Sequence, residues 1–279
     1  MGVIRRAVRS VSALAGDDSH LVKTLRPSYE RLLVWSTRGQ GLLQTVNGRE
    51  RFRIDARHRR HFPETYEPAV GTYLRERVRR GSCCVNAGAH FGIYTLCLSE
   101  WAGSSGRVYA FEPNPATRRI LETHVRLNER QDRVHVVAAA VSDRPGRQVF
   151  FAAADDLSGL SRLGAPNPAV PVAPTSAVDV PVTTIDAFCR EAAIAPDWLV
   201  IDIEGYEVRA LRGAVETLAR SRPRPGIVVE MHPNLWHTAG TSRRQAEDLL
   251  RSLALVPIPL TGQRDPLTDH GMVALERSP

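Results

Sequence analysis

The stretch from Cys83 to Gly92 constrains the fold of this chain more than any other. A short apolar run enters a turn that contains Gly88 and Gly92, and apolar residues at helical spacing follow it. This pattern predicts a buried parallel strand, a tight loop and a helix start, where the backbone can approach a ligand closely. A second apolar run, 108–111, ends in Glu112, an acid placed to bind a pair of ribose hydroxyls in a βαβ unit. Together these features predict a site for a nucleoside-type cofactor.

The composition is that of an ordinary globular protein. The 279 residues suffice for one α/β domain with an N-terminal extension. Net charge is +7, but no basic stripe with interleaved aromatic residues is present, so we expect no nucleic-acid partner. Arg9 interrupts any signal-peptide core and no run reaches membrane-spanning length, which predicts a cytoplasmic protein. The cysteines lack metal-ligand spacing and are expected to be buried thiols: Cys83, Cys84, Cys97 and Cys189.

Strand and helix patterns alternate from residue 83 onward, which predicts an α/β fold with a parallel sheet and helices on both faces. The expected core strands are 83–87, 108–111, 134–138, 198–201 and 226–229, with a closing antiparallel pair at 255–260 and 272–275. The expected helices are 66–80, 116–128, 206–219 and 242–253.

Two regions depart from this alternation. Residues 1–65 are predicted to form an N-terminal helix and a small β extension, with a strand at 32–35 and a two-residue hairpin turn at Asn47-Gly48. Residues 143–182 are predicted to form an antiparallel insertion with a mobile tip, which acts as a lid over the open end of the sheet.

Polar side chains lie where the predicted strands end, which is the place where such sheets bind ligands. Asp202 and Glu204 follow the fourth core strand and point to the same side if the chain stays extended. Glu230 and His232 repeat this arrangement after the fifth strand. Carboxylates that follow apolar runs are costly to bury unless they are paired, hydrogen-bonded or metal-bound. The four side chains therefore predict a reaction cleft.

Six short motifs occur in order between residues 66 and 260: Asn86-Ala-Gly88-Ala-His90-Phe-Gly92, Tyr109-Ala-Phe-Glu112-Pro113, Ala140-Val-Ser142-Asp143, Thr184-Ile-Asp186-Ala-Phe188, Ile201-Asp202-Ile-Glu204-Gly205-Tyr-Glu207 and Glu230-Met-His232-Pro233. Together they resemble the FkbM-type family of S-adenosylmethionine-dependent methyltransferases. The resemblance implies the class I, Rossmann-like methyltransferase fold over residues 66–279, with a seven-stranded, mostly parallel sheet whose last strand is antiparallel. It also implies O-methylation of a hydroxyl on a sugar or secondary metabolite, such as a glycan, glycolipid or polyketide-type acceptor.

The same resemblance implies roles for individual residues. It places a loop around the methionine part of S-adenosylmethionine, formed by Gly88, Ala89, His90 and Gly92. It makes Glu112 the ribose ligand and brings the stretch around Ser142 near the adenine. The residues expected to line the reaction cleft are Asp202, Glu204 and Glu230.

The chain departs from the family pattern at two positions. Asn86 stands where the family usually has Asp, at a position expected to face the amino group of the cofactor. Asn keeps a hydrogen-bond acceptor but loses the charge. Val200 stands where the family usually has Lys. Loss of that cation is expected to leave Asp202 or Glu204 without a counter-ion and with a raised pKa.

Methyl transfer to an aliphatic hydroxyl needs a base, because the oxygen is a poor nucleophile until its proton starts to leave. The sequence favours His232, with Asp202 or Glu230 as the partner that orients its ring. Asp202 or Glu204 with a raised pKa could take the same role. A divalent cation held by Asp202, Glu204 and Glu230 is a further alternative.

Two other functions compete with methyl transfer. A dinucleotide-dependent oxidoreductase also uses a glycine loop and an acid after the second strand, although the Gly-x-x-x-Gly spacing and the Asp-x-Glu-Gly-x-Glu motif argue against it. A non-catalytic cofactor-binding scaffold fits the departures at Asn86 and Val200. The sequence identifies neither the acceptor nor the hydroxyl, and self-association as a homo-oligomer stays open.

Overall fold

The computed structural model describes residues 31–153, 155–166, 176–220 and 225–277. Residues 1–30 of the predicted N-terminal extension and residues 167–175 at the tip of the predicted insertion lie outside these ranges. Among the described residues, no helix is both long enough and apolar enough to cross a lipid bilayer.

The described strands are, in chain order, β1 (Leu42–Val46), β2 (Glu50–Ile54), β3 (Cys83–Ala87), β4 (Arg107–Phe111), β5 (Val134–Val137), β6 (Ala140–Val141), β7 (Gly146–Ala152), β8 (Arg162–Leu163), β9 (Ser176–Thr183), β10 (Trp198–Ile201), β11 (Gly226–Met231), β12 (Leu255–Pro259) and β13 (Gly271–Arg277). The α-helices are α1 (Pro68–Arg77), α2 (Ile93–Ala102), α3 (Pro115–Leu127), α4 (Ile185–Glu191), α5 (Glu207–Arg212), α6 (Val215–Arg220) and α7 (Arg243–Ser252). Short 3₁₀ helices cover Ala56–His61, Asp155–Leu160 and Pro233–Ala239.

A seven-stranded sheet forms the centre of the molecule, in the order β12-β13-β11-β10-β3-β4-β5. Its strands run parallel except β13, which pairs antiparallel with both β11 and β12. The predicted fold class is therefore confirmed. The chain enters the sheet at β3, builds outward to β5 and returns to β10 on the other side of β3. This reversal of direction places the topological switch point between β3 and β10, where sheets of this kind bind ligands.

The central strands are mostly apolar because both faces of the sheet are covered. Successive residues point to opposite faces, so Cys84 and Val85 belong to different apolar clusters. On one face the sheet packs against α1, α2 and α3, through residues such as Leu74, Leu96 and Leu121. On the other it packs against α4 to α7, through Ile185, Leu211 and Leu250. The four cysteines are free thiols, and Cys83 is the one that is only half-buried.

The N-terminal region differs from the sequence prediction in two details. Residues 32–35 are helical rather than a strand, and only Leu33 of this segment is buried in the core. The hairpin between β1 and β2 has a three-residue loop, not the predicted two-residue turn, because Val46 pairs with Glu50. Asn47 and Gly48 do adopt the positive φ values that the turn requires. The hairpin packs into the same cluster as α2 and α3, so it is part of the main core.

The 143–182 insertion forms a second sheet in the order β6-β9-β7-β8, in which β7 pairs antiparallel with β8 and β9. The predicted helix over 206–219 is in fact two short helices that break at Gly213. A Cβ at Gly213 would lie 2.3 Å from the carbonyl oxygen of Ser142, so the break occurs where this segment passes directly against the start of the insertion.

The N-terminal hairpin is fixed to the unit built on the central sheet by Asn128, which follows α3. Its Oδ1 accepts from Arg53 N at 2.8 Å and its Nδ2 donates to Arg53 O at 2.7 Å. We expect Asn128→Ala to lower the free energy of unfolding by about 1–2 kcal/mol, as two hydrogen bonds are lost. Urea denaturation measures this, and the exposed Arg119→Ala on the same helix should change it by less than about 0.5 kcal/mol. Equal stability of both variants would contradict the attachment.

Candidate active site

A cavity of about 440 Å³ opens at the carboxyl ends of the central strands, at the switch point of the sheet. Its walls come from the loops after β3, β4 and β10, from β11 and from the insertion. The predicted site residues that line it are Gly88, Ala89, His90, Gly92, Glu112, Asp202, Glu204 and Glu230. The structure therefore brings together the residues of four separate sequence motifs.

The glycine loop touches the end of β10 directly. Gly88 has a φ of +80°, and a Cβ at this position would lie 1.6 Å from the carbonyl oxygen of Asp202. No side chain fits there, so glycine is required for the loop after β3 to lie against the loop after β10. The amide of Asp202 in turn donates to Ala87 O at 2.9 Å. This close backbone contact holds the two motifs in register.

Three non-glycine residues of the cavity wall, Glu67 among them with a φ of +39°, adopt the left-handed backbone region. His90 has a φ of +48° and Glu204 a φ of +45°. Such conformations cost free energy in residues with a Cβ and are concentrated at functional sites. His90 also ties the insertion to the glycine loop, because its Nε2 lies 2.9 Å from the hydroxyl of Ser158. Two of these residues, His90 and Glu204, therefore belong to the adjacent loops that follow β3 and β10.

Glu112 at the end of β4 is buried, and its carboxylate holds the glycine loop. It accepts from the backbone N–H of His90 and of Asn114, each at 2.9 Å. Burial raises the pKa of Glu112 to about 7, although the two backbone N–H donors and the charge of Arg118 oppose this shift. Because the carboxyl group of Glu112 ionises near neutral pH, its strength as a hydrogen-bond acceptor changes over the physiological pH range.

Two predicted cofactor residues do not line the cavity, which corrects the sequence interpretation. Asn86 is buried in the sheet, where its Oδ1 accepts from the hydroxyl of Thr95 at 2.8 Å. It faces α2 because the strand pleat alternates its side chains. Ser142 is also fully buried and bonds to its neighbour Asp143, whereas Ala140 and Val141 reach the cavity wall.

His232 lies behind the cavity wall, and its partners differ from the prediction of Asp202 or Glu230. Its Nδ1 lies 2.7 Å from Glu207 Oε1, and its Nε2 lies 3.6 Å from Glu204 Oε1. Glu207 is completely buried and also accepts from Gly205 N at 2.6 Å and from Trp236 Nε1 at 3.0 Å. Sequence reasoning missed the role of Glu207, although it lies in the motif that begins at Ile201.

The charge of His232 makes it a poor base. Burial alone would lower its pKa, but Glu207, followed by Glu204 and Asp202, raises the pKa to about 10. At neutral pH the ring is therefore an imidazolium and has no lone pair to accept a proton. The geometry thus disfavours the sequence preference for His232 as the general base.

Asp202 and Glu230 form an acidic pair, joined by a hydrogen bond between their carboxyl groups. Burial and the charge of Glu230 raise the pKa of Asp202 well above its usual range. The pKa of Glu230 is lowered despite its burial, because His270 and Asp202 donate to it and His232 is charged. Within this pair, the opposite pKa shifts favour the proton on Asp202 over the proton on Glu230.

His270 was not predicted from the sequence. It precedes β13, and its Nε2 lies 2.8 Å from Glu230 Oε1. Ligand atoms of Glu230, His232 and His270 lie within 4.8 Å of one another, close enough to share a metal ion. A cation bound through His232 Nε2 would replace the proton on that nitrogen, while Nδ1 would still donate to Glu207. The metal alternative of the sequence analysis therefore stays a prediction.

Glu204 has the properties that a base at neutral pH needs. Its carboxylate lines the cavity. Burial raises its pKa to about 7; the charge of His232 opposes this shift, and the charges of Glu207 and Glu230 add to it. A base is most effective when its pKa lies near the operating pH. Among the predicted candidates, Glu204 meets this condition best.

Comparison with known proteins yields one family match and many similar structures. The model of the methyltransferase FkbM domain matches residues 86–254. A methyltransferase FkbM from Methylobacillus flagellatus KT is 16% identical, with a TM-score of 0.45, over 75% of this chain and 51% of that chain. A fibrillarin from Aeropyrum pernix with natively bound S-adenosyl-L-methionine is 15% identical, with a TM-score of 0.43, over 74% of this chain and 73% of that chain. None of the curated proteins matches the chain.

The central structural role of Glu207 can be tested by its removal. We expect Glu207→Ala to lower the free energy of unfolding by about 3–5 kcal/mol, because it leaves the buried His232 cation without its partner. Two buried N–H donors, of Gly205 and Trp236, also lose their acceptor. The half-exposed Glu122→Ala is the control and should change stability by less than about 0.5 kcal/mol. A loss no larger for Glu207→Ala than for the control would refute the role.

Proposed function

Because this chain belongs to the FkbM methyltransferase family, whose model matches residues 86–254, we propose that it methylates a hydroxyl oxygen of a sugar or secondary metabolite. The chain is a methyltransferase, and S-adenosylmethionine is its methyl donor. The observation that carries the proposal of an oxygen acceptor is Glu204, a cavity carboxylate whose pKa is about 7. A base is needed for a hydroxyl, which is a weak nucleophile while it holds its proton.

The residues of the cavity fit the cofactor. Its volume of about 440 Å³ lies within the usual range for small-molecule sites. The carboxylate of Glu112 suits the two ribose hydroxyls, and the loop from Gly88 to Gly92 suits the amino-acid part. Ala140 and Val141 offer an apolar wall for the adenine in place of Ser142. These assignments follow the family resemblance and the positions of the residues at the cavity wall.

The proposed mechanism assigns one task to each group at the strand ends. Bound S-adenosylmethionine supplies a methyl carbon that its sulfonium makes electrophilic. Glu204 accepts the proton of the acceptor hydroxyl while that oxygen becomes nucleophilic. The imidazolium of His232, 3.6 Å from Glu204, holds this carboxylate in place and favours its ionised form. The raised pKa of Asp202, at the cavity wall, favours its neutral form and so limits the negative charge beside the site of transfer.

The competing functions of the sequence analysis can now be weighed. Family membership decides against a dinucleotide-dependent oxidoreductase. The non-catalytic scaffold was suggested by the departures at Asn86 and Val200. Both side chains are buried in the core and neither lines the cavity, so neither departure removes a cavity residue. The proposed reaction therefore keeps its full set of cavity residues. A cytoplasmic location stays a prediction.

Cofactor binding should depend on the ionised form of Glu112. Since its pKa is about 7, we expect affinity for S-adenosylhomocysteine to rise roughly tenfold between pH 6 and pH 8 as the carboxylate ionises. Glu112→Gln should weaken binding by about 1.5–3 kcal/mol and remove this pH dependence. Isothermal titration calorimetry measures both effects, with NADH as the negative control. Unchanged affinity in a folded Glu112→Gln protein would refute the ribose assignment.

The base assignment makes a separate prediction. We expect Glu204→Gln to lower kcat by about 10²–10⁴-fold while the affinity for S-adenosylhomocysteine is retained. The wild-type rate should rise with pH through about 7 and then level off, because Glu204 must be ionised to accept a proton. Transfer of a tritiated methyl group to a hydroxylated acceptor gives the rates, and the exposed Glu216→Gln is the control. Near-normal turnover in Glu204→Gln, or loss of wild-type turnover with EDTA, would contradict this mechanism.

A further inference from the structure

Arg162 is a buried cation of the cavity wall that forms no hydrogen bond within the described part of the chain. It lies on β8 in the insertion, and 1% of its surface is exposed. No described residue forms a hydrogen bond with any of its three guanidinium nitrogens. Arginine is almost never buried without a partner, since an unpaired charge is costly to remove from water. The arrangement therefore points to a group that is not part of the protein.

The acidic groups near Arg162 are already engaged by other residues. Burial lowers the pKa of Arg162, and the charges of Tyr206, Glu204 and Glu207 oppose this shift. Glu207, however, is bonded to His232, Gly205 and Trp236, and Glu204 faces the imidazolium of His232. The guanidinium approaches the loop after β10, where a Cβ at Gly205 would lie 3.2 Å from Arg162 Nη2. Glycine at position 205 therefore leaves room for the guanidinium beside the proposed base.

We propose that Arg162 binds an anionic group of the acceptor, a carboxylate or a phosphate, and so selects acidic hydroxyl compounds as substrates. A guanidinium presents five N–H donors in a planar fork that matches either oxyanion with two parallel hydrogen bonds. This inference rests on the proposed function, since it specifies the acceptor for the same site.

The position of Arg162 favours the acceptor over the cofactor as the source of the anion. Arg162 lies by Gly205 and Glu204, at the end of β10, where the acceptor hydroxyl meets its proposed base. The carboxylate of the cofactor is assigned to the loop from Gly88 to Gly92, which follows β3 and not β10. An anion held by Arg162 is therefore beside the atom that loses its proton. The acceptor would be fixed at two points, at its anionic group and at its reacting hydroxyl.

Binding of inorganic phosphate tests whether Arg162 binds an anion. The experiment compares four proteins: the wild type, Arg162→Met, Arg162→Lys and the exposed Arg144→Met. Each is saturated with S-adenosylhomocysteine, and its Tm is measured at increasing phosphate concentration and constant ionic strength. We expect a saturable rise of Tm in the wild type and in Arg144→Met, a smaller rise in Arg162→Lys and none in Arg162→Met. Absence of a saturable effect in the wild type, or an equal effect in Arg162→Met, would overturn the proposal.

Loss of folding cannot mimic the expected result, because Arg162→Met should be more stable than the wild type. Replacing an unpaired buried charge by an apolar side chain of similar length removes its desolvation cost. We therefore expect its Tm without ligands to exceed that of the wild type. A lower Tm would mean that Arg162 serves the fold instead, and would also overturn the proposal.

Affinities for two nucleosides separate the acceptor from the cofactor. S-adenosylhomocysteine carries a carboxylate, whereas 5′-methylthioadenosine lacks it. We expect Arg162→Met to bind both within about twofold of the wild type. A loss of more than about tenfold for S-adenosylhomocysteine alone would show that Arg162 holds the cofactor carboxylate, against the proposal. Failure of the wild type to bind either nucleoside would instead refute the proposed function, and the same phosphate series without nucleoside would then test the binding of an anion by Arg162.

Discussion

The site depends on one buried carboxylate, that of Glu207. A fully buried carboxylate is stable only when its oxygens are hydrogen-bonded or paired with a cation. Glu207 accepts a hydrogen bond from the backbone N–H of Gly205 in its own loop. It also accepts hydrogen bonds from the side-chain ring N–H groups of His232 and Trp236, which lie in the segment after β11. These three contacts join the loops at the ends of two neighbouring strands. They therefore set the shape of the cavity wall on the side proposed for the acceptor.

Glu207 also sets the charges around it. It fixes His232 as an imidazolium, and that cation opposes the rise of the Glu204 pKa that burial causes. The pKa of Glu204 is therefore about 7, so its carboxyl group changes between the protonated and the ionised form near neutral pH. Glu204 and Glu207 are both turned toward His232, and no residue in the described ranges forms a hydrogen bond with the guanidinium of the nearby Arg162. The ion pair of Glu207 and His232 thus lies beside both the proposed base, Glu204, and the proposed anion-binding residue, Arg162.

Local patterns in the sequence were sufficient for the sheet and for the strand ends. Apolar runs predicted β3, β4, β10 and β11, and the acids that follow them predicted the position of the cavity. Partners could not be predicted, because they depend on tertiary pairing. Glu207 has the appearance of an ordinary acid in the first turn of a helix. His270 reaches Glu230 only because β13 pairs antiparallel with β11. Arg162 breaks the rule that charged residues are exposed, so no hydrophobic pattern identifies it.

The protonation state of His232 is the point on which the base and the anion receptor both depend. Nitrogen-15 NMR of the histidine rings, with S-adenosylhomocysteine bound at neutral pH, observes it directly, and His232→Gln assigns the signal. We expect both ring nitrogens of His232 to be protonated and to stay so until the pH approaches about 10. A ring that is neutral at pH 7, with one unprotonated nitrogen, would contradict this arrangement and restore His232 as the candidate base.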